Sequence, residues 1–274
     1  MESRIESAGN GKVKLAASLR QRKHREKTGF FLAEGVRLCE MAAASGWKIS
    51  FGLYTPSVAG EKRAGALIGR LKGLGCLLYE VPENVFARAS STESPQGILL
   101  VVEQKGISLG ELRLPEKPFL MVMDGIQDPG NAGTMIRLAD AAGMDGVILL
   151  KGSVDVFSDK TVRATMGSVF HLPICSNTDR NAFMEFVREK GIRLYATTLD
   201  EGAKVCYEAD LSGSIALVFG NEANGVSSDI LRMAEGMYIP MFGKAESLNV
   251  ATAASALAYE AVRQRRYPGG WRRV

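Results

Sequence analysis

Residues that bind metals are few in this chain, and they are scattered. Two histidines, His24 and His171, and four cysteines, Cys39, Cys76, Cys175 and Cys206, are spread over 274 residues. No two of them fall at the short spacing of a zinc site, so no metal is expected. Sparse, unpaired thiols suit a reducing compartment. The opening MESRIESAGN has no apolar core of the signal-peptide type, and no run reaches transmembrane length. A cytoplasmic protein with no membrane partner is the expectation. The phosphate-binding fingerprints Gly-x-Gly-x-x-Gly and Gly-Lys-Ser/Thr are also missing, which argues against a nucleotide-dependent dehydrogenase or a P-loop enzyme.

What is present is ordinary globular composition with an uneven charge. Hydrophobic residues make up 46% and charged residues 23%, and the net charge is +4. Residues 12–27 carry Lys12, Lys14, Arg20, Arg22, Lys23, Arg25 and Lys27 against Glu26 alone, a local charge of +6. Residues 263–274 carry Arg263, Arg265, Arg266, Arg272 and Arg273 with no acid, which gives +5 and leaves the remainder at −7. Either segment alone reads equally well as a solvated helix face or a tail. Together, on an acidic body, they point to a polyanion, and nucleic acid is the expected partner.

The first hundred residues alternate. A basic helix is predicted near 13–23, then an extended run at 30–34, a helix at 36–44, an apolar run at 49–54, a helix at 61–74, and extended runs at 76–81 and 97–102. Gly, Pro and charge replace apolar periodicity in GISLGELRLPEKP, residues 106–118, which reads as a linker. Beyond it, apolar runs at 119–123, 146–150, 194–198 and 215–219 are separated by helical stretches, the pattern of a parallel sheet covered on both faces. An α/β protein is predicted, with a smaller domain over 1–105 and a parallel-sheet domain over 119–274.

Three segments follow such strands, where open sheets place their ligands. The first is DGIQDPGNAGTMIR, residues 124–137, in which Asn131 is a good capping residue and Arg137 lies inside the following helix. The second is LVFGNEANG, residues 217–225, where the strand ends in Gly220 and Glu222 follows. The third is IPMFGKAESLNVATAA, residues 239–254, with Ser247 and Asn249 as caps and Val250, Ala254, Leu257 and Ala261 as the buried stripe of a closing helix. The small residues Ala251, Ala253, Ala254 and Ala256 would let another backbone pack closely. Each segment alone also reads as a capped turn or an ordinary core helix.

In this order, the three segments resemble the signature motifs of the SpoU (TrmH-type) branch of the SPOUT methyltransferases, over about residues 119–262. KTVRATMG, residues 160–167, resembles that family's linking segment. LAASLRQRKHREKTGFFLAEGVRLCE, residues 15–40, and STESPQG, residues 91–97, resemble the ribosomal-protein-like RNA-reading domain that precedes many SpoU catalytic domains. The resemblance implies a C-terminal trefoil knot, a homodimer through the C-terminal domain, and methyl transfer from S-adenosylmethionine to a ribose 2'-hydroxyl. Ribosomal RNA is favoured over tRNA as substrate. It implies Arg137, Asn131, Glu222, Ser247 and Asn249 as the catalytic set and Thr197, Gly220, Ile239, Met241 and Leu248 as the cofactor cradle. Arg20, Arg22, Lys23 and Arg25 are the residues expected on RNA. A catalytically silent RNA-binding or ribosome-assembly protein of the same fold is the alternative.

Overall fold

The computed structural model describes residues 3–267. Arg272 and Arg273 of the C-terminal basic segment therefore lie outside the described residues. The chain forms two compact units: Met1–Lys105 together with Phe157–His171, and Gly106–Val156 together with Leu172–Val274.

The first stretch of chain runs β1 (Ser3–Arg4), α1 (Gly11–Ser18), α2 (Arg22–Thr28), β2 (Phe30–Glu34), α3 (Val36–Ala44), β3 (Ile49–Tyr54), α4 (Pro56–Ala59), α5 (Lys62–Gly73), β4 (Leu78–Glu80), α6 (Glu83–Ala89) and β5 (Ile98–Glu103). Its five strands lie in the order β1-β4-β3-β5-β2, with β5 antiparallel to both of its neighbours. Alternate residues Leu32, Phe51, Leu53, Leu99 and Val101 of these strands meet Val13, Ala16, Val85 and Phe86 of the helices in one buried core. The basic helix expected at 13–23 is broken into α1 and α2. Arg25 explains how the break is tolerated: its buried Nη1 donates to the carbonyls of Leu19 (2.7 Å) and Arg20 (2.9 Å), groups that an unbroken helix would have bonded itself.

The second unit begins inside the stretch expected to be a linker. Ser108 and Glu111 form a capping box around a single helical turn, and Leu112 is buried in the unit's core with Ile107, Leu109 and Leu114 packed against it. After β6 (Phe119–Asp124), α7 (Pro129–Ala141) and β7 (Gly146–Leu150), the segment Phe157–His171, which contains α8 (Asp159–Ala164), belongs with the first unit. Phe157 and Phe170 supply the reason. Their rings lie 5.0 and 6.0 Å from that of Phe31, and 6.4 and 5.2 Å from that of Trp47.

The chain then continues through β8 (Ile174–Thr178), α9 (Arg180–Glu189), β9 (Arg193–Thr197), β10 (Lys204–Val205), β11 (Ile215–Gly220), α10 (Ser228–Leu231), β12 (Glu235–Tyr238) and α11 (Val250–Arg266). Its seven strands lie in the order β10-β12-β9-β11-β6-β7-β8, and every pairing is parallel. Strands β6, β7 and β11 are buried along their whole length, as a sheet covered on both faces requires. Helix α11 turns Ala251, Ala254, Leu257, Ala258 and Ala261 inward, whereas Val250 is only half-buried. The four alanines expected to form one docking face are thus divided. Ala251 and Ala254 pack in their own chain, Ala253 is half-buried, and Ala256 is exposed.

Candidate active site

The three motifs leave the carboxyl ends of β6, β11 and β12. At the first, Asp128 is the cap of α7, its Oδ1 accepting from the Asn131 backbone N–H at 2.8 Å, with Pro129 in the first turn. Asn131, expected to be the cap, instead sits one turn inside. Its side chain is therefore released for other partners.

At the second motif, the strand runs straight into a closed turn. Asn221 and Gly225 exchange backbone hydrogen bonds at 3.0 and 2.9 Å, and Gly225 takes a φ of +68°, which favours glycine. The Asn221 side chain organises the turn from within. Its Oδ1 accepts from the N–H groups of Ala223 (2.9 Å) and Asn224 (3.1 Å), while its Nδ2 donates to the carbonyl of Gly125 (2.9 Å) in the first motif. At Gly220 a β-carbon would stand 2.0 Å from the carbonyl carbon of Gly225 and 2.1 Å from the nitrogen of Val226. No other residue fits there.

The third motif fixes the direction of a chain of side-chain hydrogen bonds. Asn249 caps α11 with its Oδ1, which accepts from the N–H groups of Ala251 (2.9 Å) and Thr252 (3.4 Å). Its other end is therefore the amide nitrogen, which donates to Asn131 Oδ1 at 3.0 Å. Asn131 must then present its own Nδ2, which donates to Glu222 Oε1 at 2.8 Å. A helix cap thereby sets both amide orientations and leaves the Glu222 carboxylate as the terminal acceptor.

Beside this chain lies a cavity of about 660 Å³. All five residues expected to cradle a cofactor, Thr197, Gly220, Ile239, Met241 and Leu248, line it, as do Glu222, Ser247 and Asn249. Arg137 does not. It lies about two turns into α7, on the exposed stripe with Thr134, and no hydrogen bond joins it to Asn131, Glu222, Ser247 or Asn249 among the described residues.

Three acids, Asp200, Glu222 and Glu246, line the cavity, and no Lys, Arg or His does. Such a lining favours a cationic ligand and disfavours a polyphosphate. Residues 118–259 match the SpoU rRNA Methylase family, and residues 10–100 match the MRM3-like substrate binding domain. The chain belongs to the SpoU rRNA methylase family. Among the relatives of this SpoU chain is the 23S rRNA (guanosine(2553)-2'-O)-methyltransferase RlmP of Bacillus subtilis (strain 168), 38% identical over 93% of this chain and 97% of that one. Another is the 23S rRNA (uridine(2479)-2'-O)-methyltransferase of Streptomyces viridochromogenes, 32% identical over 91% and 88%. The crystal structure of the AdoMet-bound rRNA methyltransferase from Sinorhizobium meliloti superposes with a TM-score of 0.86, at 35% identity over 97% of this chain and 98% of that one.

Two polar residues inside the motif segments, neither of them among the expected site residues, prove central to the loops of the SpoU unit. Besides Asn221, the buried Asp124 at the end of β6 accepts from Arg180 Nη2 (3.0 Å) at Oδ1 and from the Ser227 N–H (2.8 Å) at Oδ2, tying the first motif to the segment after the second. The cysteines take no part. Burial pushes the thiols of Cys76 and Cys175 up to about 11 and raises those of Cys39 and Cys206, so all four remain protonated at neutral pH.

The basic residues expected on RNA divide in the first unit. Arg22 and Lys23 are exposed, the former paired with Glu26 at 2.7 Å. Arg20 is exposed but donates through Nη2 to the carbonyls of Arg88 and Ser90. Arg25 is 4% exposed and holds the helix break, so it is a structural arginine and not a phosphate contact.

Proposed function

We propose that this protein transfers the methyl group of S-adenosylmethionine to a ribose 2'-hydroxyl of structured RNA, ribosomal RNA in preference to tRNA. The observation that carries the reading is the joining of all three motifs by the Asn249–Asn131–Glu222 chain at the rim of a cavity with acidic and no basic lining. The cavity suits this cofactor on its own chemistry. Apolar Phe219, Met237, Ile239 and Leu248 offer surface for an adenine ring, main chain approaches closely at Gly220, and the acids complement a sulfonium and an ammonium. Thr197, Gly220, Ile239, Met241 and Leu248 would hold it. When bound, it supplies an electrophilic methyl carbon that needs no metal.

The chain's own residues must then bring the 2'-oxygen into line and handle its proton. Alignment of the reacting atoms lowers the barrier to such a displacement substantially. Guanidinium is effectively always protonated, so Arg137 is poorly suited to accept the proton. Its role is to grip the phosphate next to the target ribose and to polarise the hydroxyl. Asn131, Glu222, Ser247 and Asn249 orient the ribose and that arginine. Arg20, Arg22 and Lys23 of the first unit contribute contacts to the RNA backbone, and the four free thiols support a cytoplasmic setting. Incubation of the protein with tritiated S-adenosylmethionine and deproteinised bacterial ribosomal RNA, in the presence of a chelator, will leave label in alkali-resistant dinucleotides. Label confined to tRNA would overturn the substrate preference, and binding of RNA with no transfer would identify a silent relative.

The protein also acts as a homodimer through the second unit. Tyr259, 52% exposed, and Ala256 stand on the outward stripe of α11 and support this arrangement. Light scattering at micromolar concentration will give the mass of two chains. A single-chain mass would remove the dimer.

A further inference from the structure

The first unit contains a cavity of about 230 Å³ that the methyl-transfer site does not use. Its lining includes Arg37, Thr92, Ser94, Gln96, Arg163 and Met166. One wall is built around Glu34, a carboxylate only 7% exposed at the end of β2. Glu34 accepts from the Ser90 hydroxyl, from the N–H (2.8 Å) and hydroxyl (2.9 Å) of Ser91, and from the Thr92 hydroxyl (2.7 Å). With that many donors its acceptor capacity is committed, and the loop that presents Thr92, Ser94 and Gln96 is held rigidly from behind. Arg163 ties the same loop from the other side, donating to Ser91 Oγ at 2.9 Å and pairing with Asp159 at 3.1 Å. Gln96 Oε1 accepts from the Val36 N–H at 3.0 Å. Its amide therefore keeps Nε2 as a donor for a ligand.

Met166 is the unusual member. Its φ of +54° is a left-handed conformation that a residue with a long side chain rarely adopts, and its apolar side chain is 38% exposed. The next residue, Gly167, has a φ of +105° and sits where a β-carbon would lie 2.6 Å from Met41 Cγ, so the turn is pressed onto α3. The position ends α8, one residue past its C-cap Thr165, where glycine or asparagine usually takes this conformation, and a methionine there keeps its thioether on the cavity wall. Strain of this kind collects at ligand sites.

We infer that this cavity is a second RNA subsite, which takes one unpaired nucleobase of the substrate. The base lies against the exposed Arg37 guanidinium and the Met166 thioether, and its edge is read by Gln96 Nε2 and the Ser94 hydroxyl. Single-stranded RNA is recognised in this way, by splayed bases stacked on arginine or apolar surfaces and hydrogen-bonded at their edges. The inference rests on the reading that the substrate is RNA.

Arg37→Ala and Met166→Gly test it on the full chain, with deproteinised bacterial 23S rRNA as the probe. Arg37→Ala will weaken rRNA binding roughly tenfold, the loss typical of one stacked base. Met166→Gly will weaken it about as much while leaving the thermal midpoint unchanged or raised, because glycine relieves the positive φ. A purely structural role would move stability instead. In both variants KM for RNA rises, whereas kcat at saturation and the affinity for S-adenosylmethionine stay at wild type. Transcribed 23S rRNA carrying 4-thiouridine will cross-link to peptides spanning residues 92–96 or 163–167. Wild-type RNA affinity in both variants, with cross-links only elsewhere, overturns the subsite while the wild-type protein still methylates rRNA. If the wild-type protein neither binds nor labels rRNA, the RNA reading itself falls, and this inference with it.

Discussion

Replacing Arg137 with alanine will lower kcat about a thousandfold, in the upper range for removal of a single charge-stabilising donor at a reacting centre. The affinity for S-adenosylmethionine will stay within about twofold of wild type, because an interaction made only with the reacting RNA is lost from turnover and not from cofactor binding. The structure separates the two quantities. Arg137 is exposed and stands outside the cavity, so its removal opens no hole and strands no buried partner. Arg137→Lys will recover little, since an ammonium lacks the planar fork that grips a phosphate and a hydroxyl together. Single-turnover rates at saturating RNA, set beside calorimetric titration of the cofactor, provide the check. An alanine variant that keeps most of its turnover would take Arg137 out of the mechanism.

Gly220→Ala will abolish measurable cofactor binding, a loss of at least about a hundredfold, while RNA affinity falls far less. The added methyl would meet main chain on the far side of the turn, at 2.0 Å from Gly225 C, 2.1 Å from Val226 N and 2.3 Å from Gly225 O. Flexible side chains yield to such a collision, but backbone held by the paired bonds of Asn221 and Gly225 does not. The turn must open, and with it goes the wall of the cavity that carries Glu222 and Asn224. Gly69→Ala makes the control. That glycine lies within α5 with nothing inside 4 Å of a β-carbon, so alanine there leaves binding intact and adds up to about 1 kcal/mol of stability. Calorimetric titration that finds wild-type cofactor affinity in Gly220→Ala would show that the cofactor sits elsewhere.

The residues that carry the site are legible in the sequence to the extent that they obey local rules. A strand buried on both faces advertises itself as an unbroken apolar run, and β6, β7 and β11 do so. The end of such a run is then a ligand candidate, and Gly220 and Glu222 line the cavity, whereas Ser247 and Asn249 follow β12, only one of whose four residues is buried, and are legible instead as caps of the closing helix. What stays hidden depends on distant partners. Asn131 and Asp128 are both good caps, and nothing local says that Asp128 takes the helix while Asn131 reaches Glu222 from 91 positions away. Arg25 looks like a solvated cation until Leu19 and Arg20 claim its guanidinium. The aromatic cluster that attaches Phe157 and Phe170 to Phe31 and Trp47 joins segments more than a hundred residues apart. No periodicity announces it.

Asn249 settles which way both site amides face, and it does so as the cap of α11, the last of the described helices. A ribosome adds residues from the N-terminus, so both sheets and every other strand of the site exist before this asparagine does. The amide chain from Asn249 through Asn131 to Glu222 is thus the last part of the site that synthesis supplies.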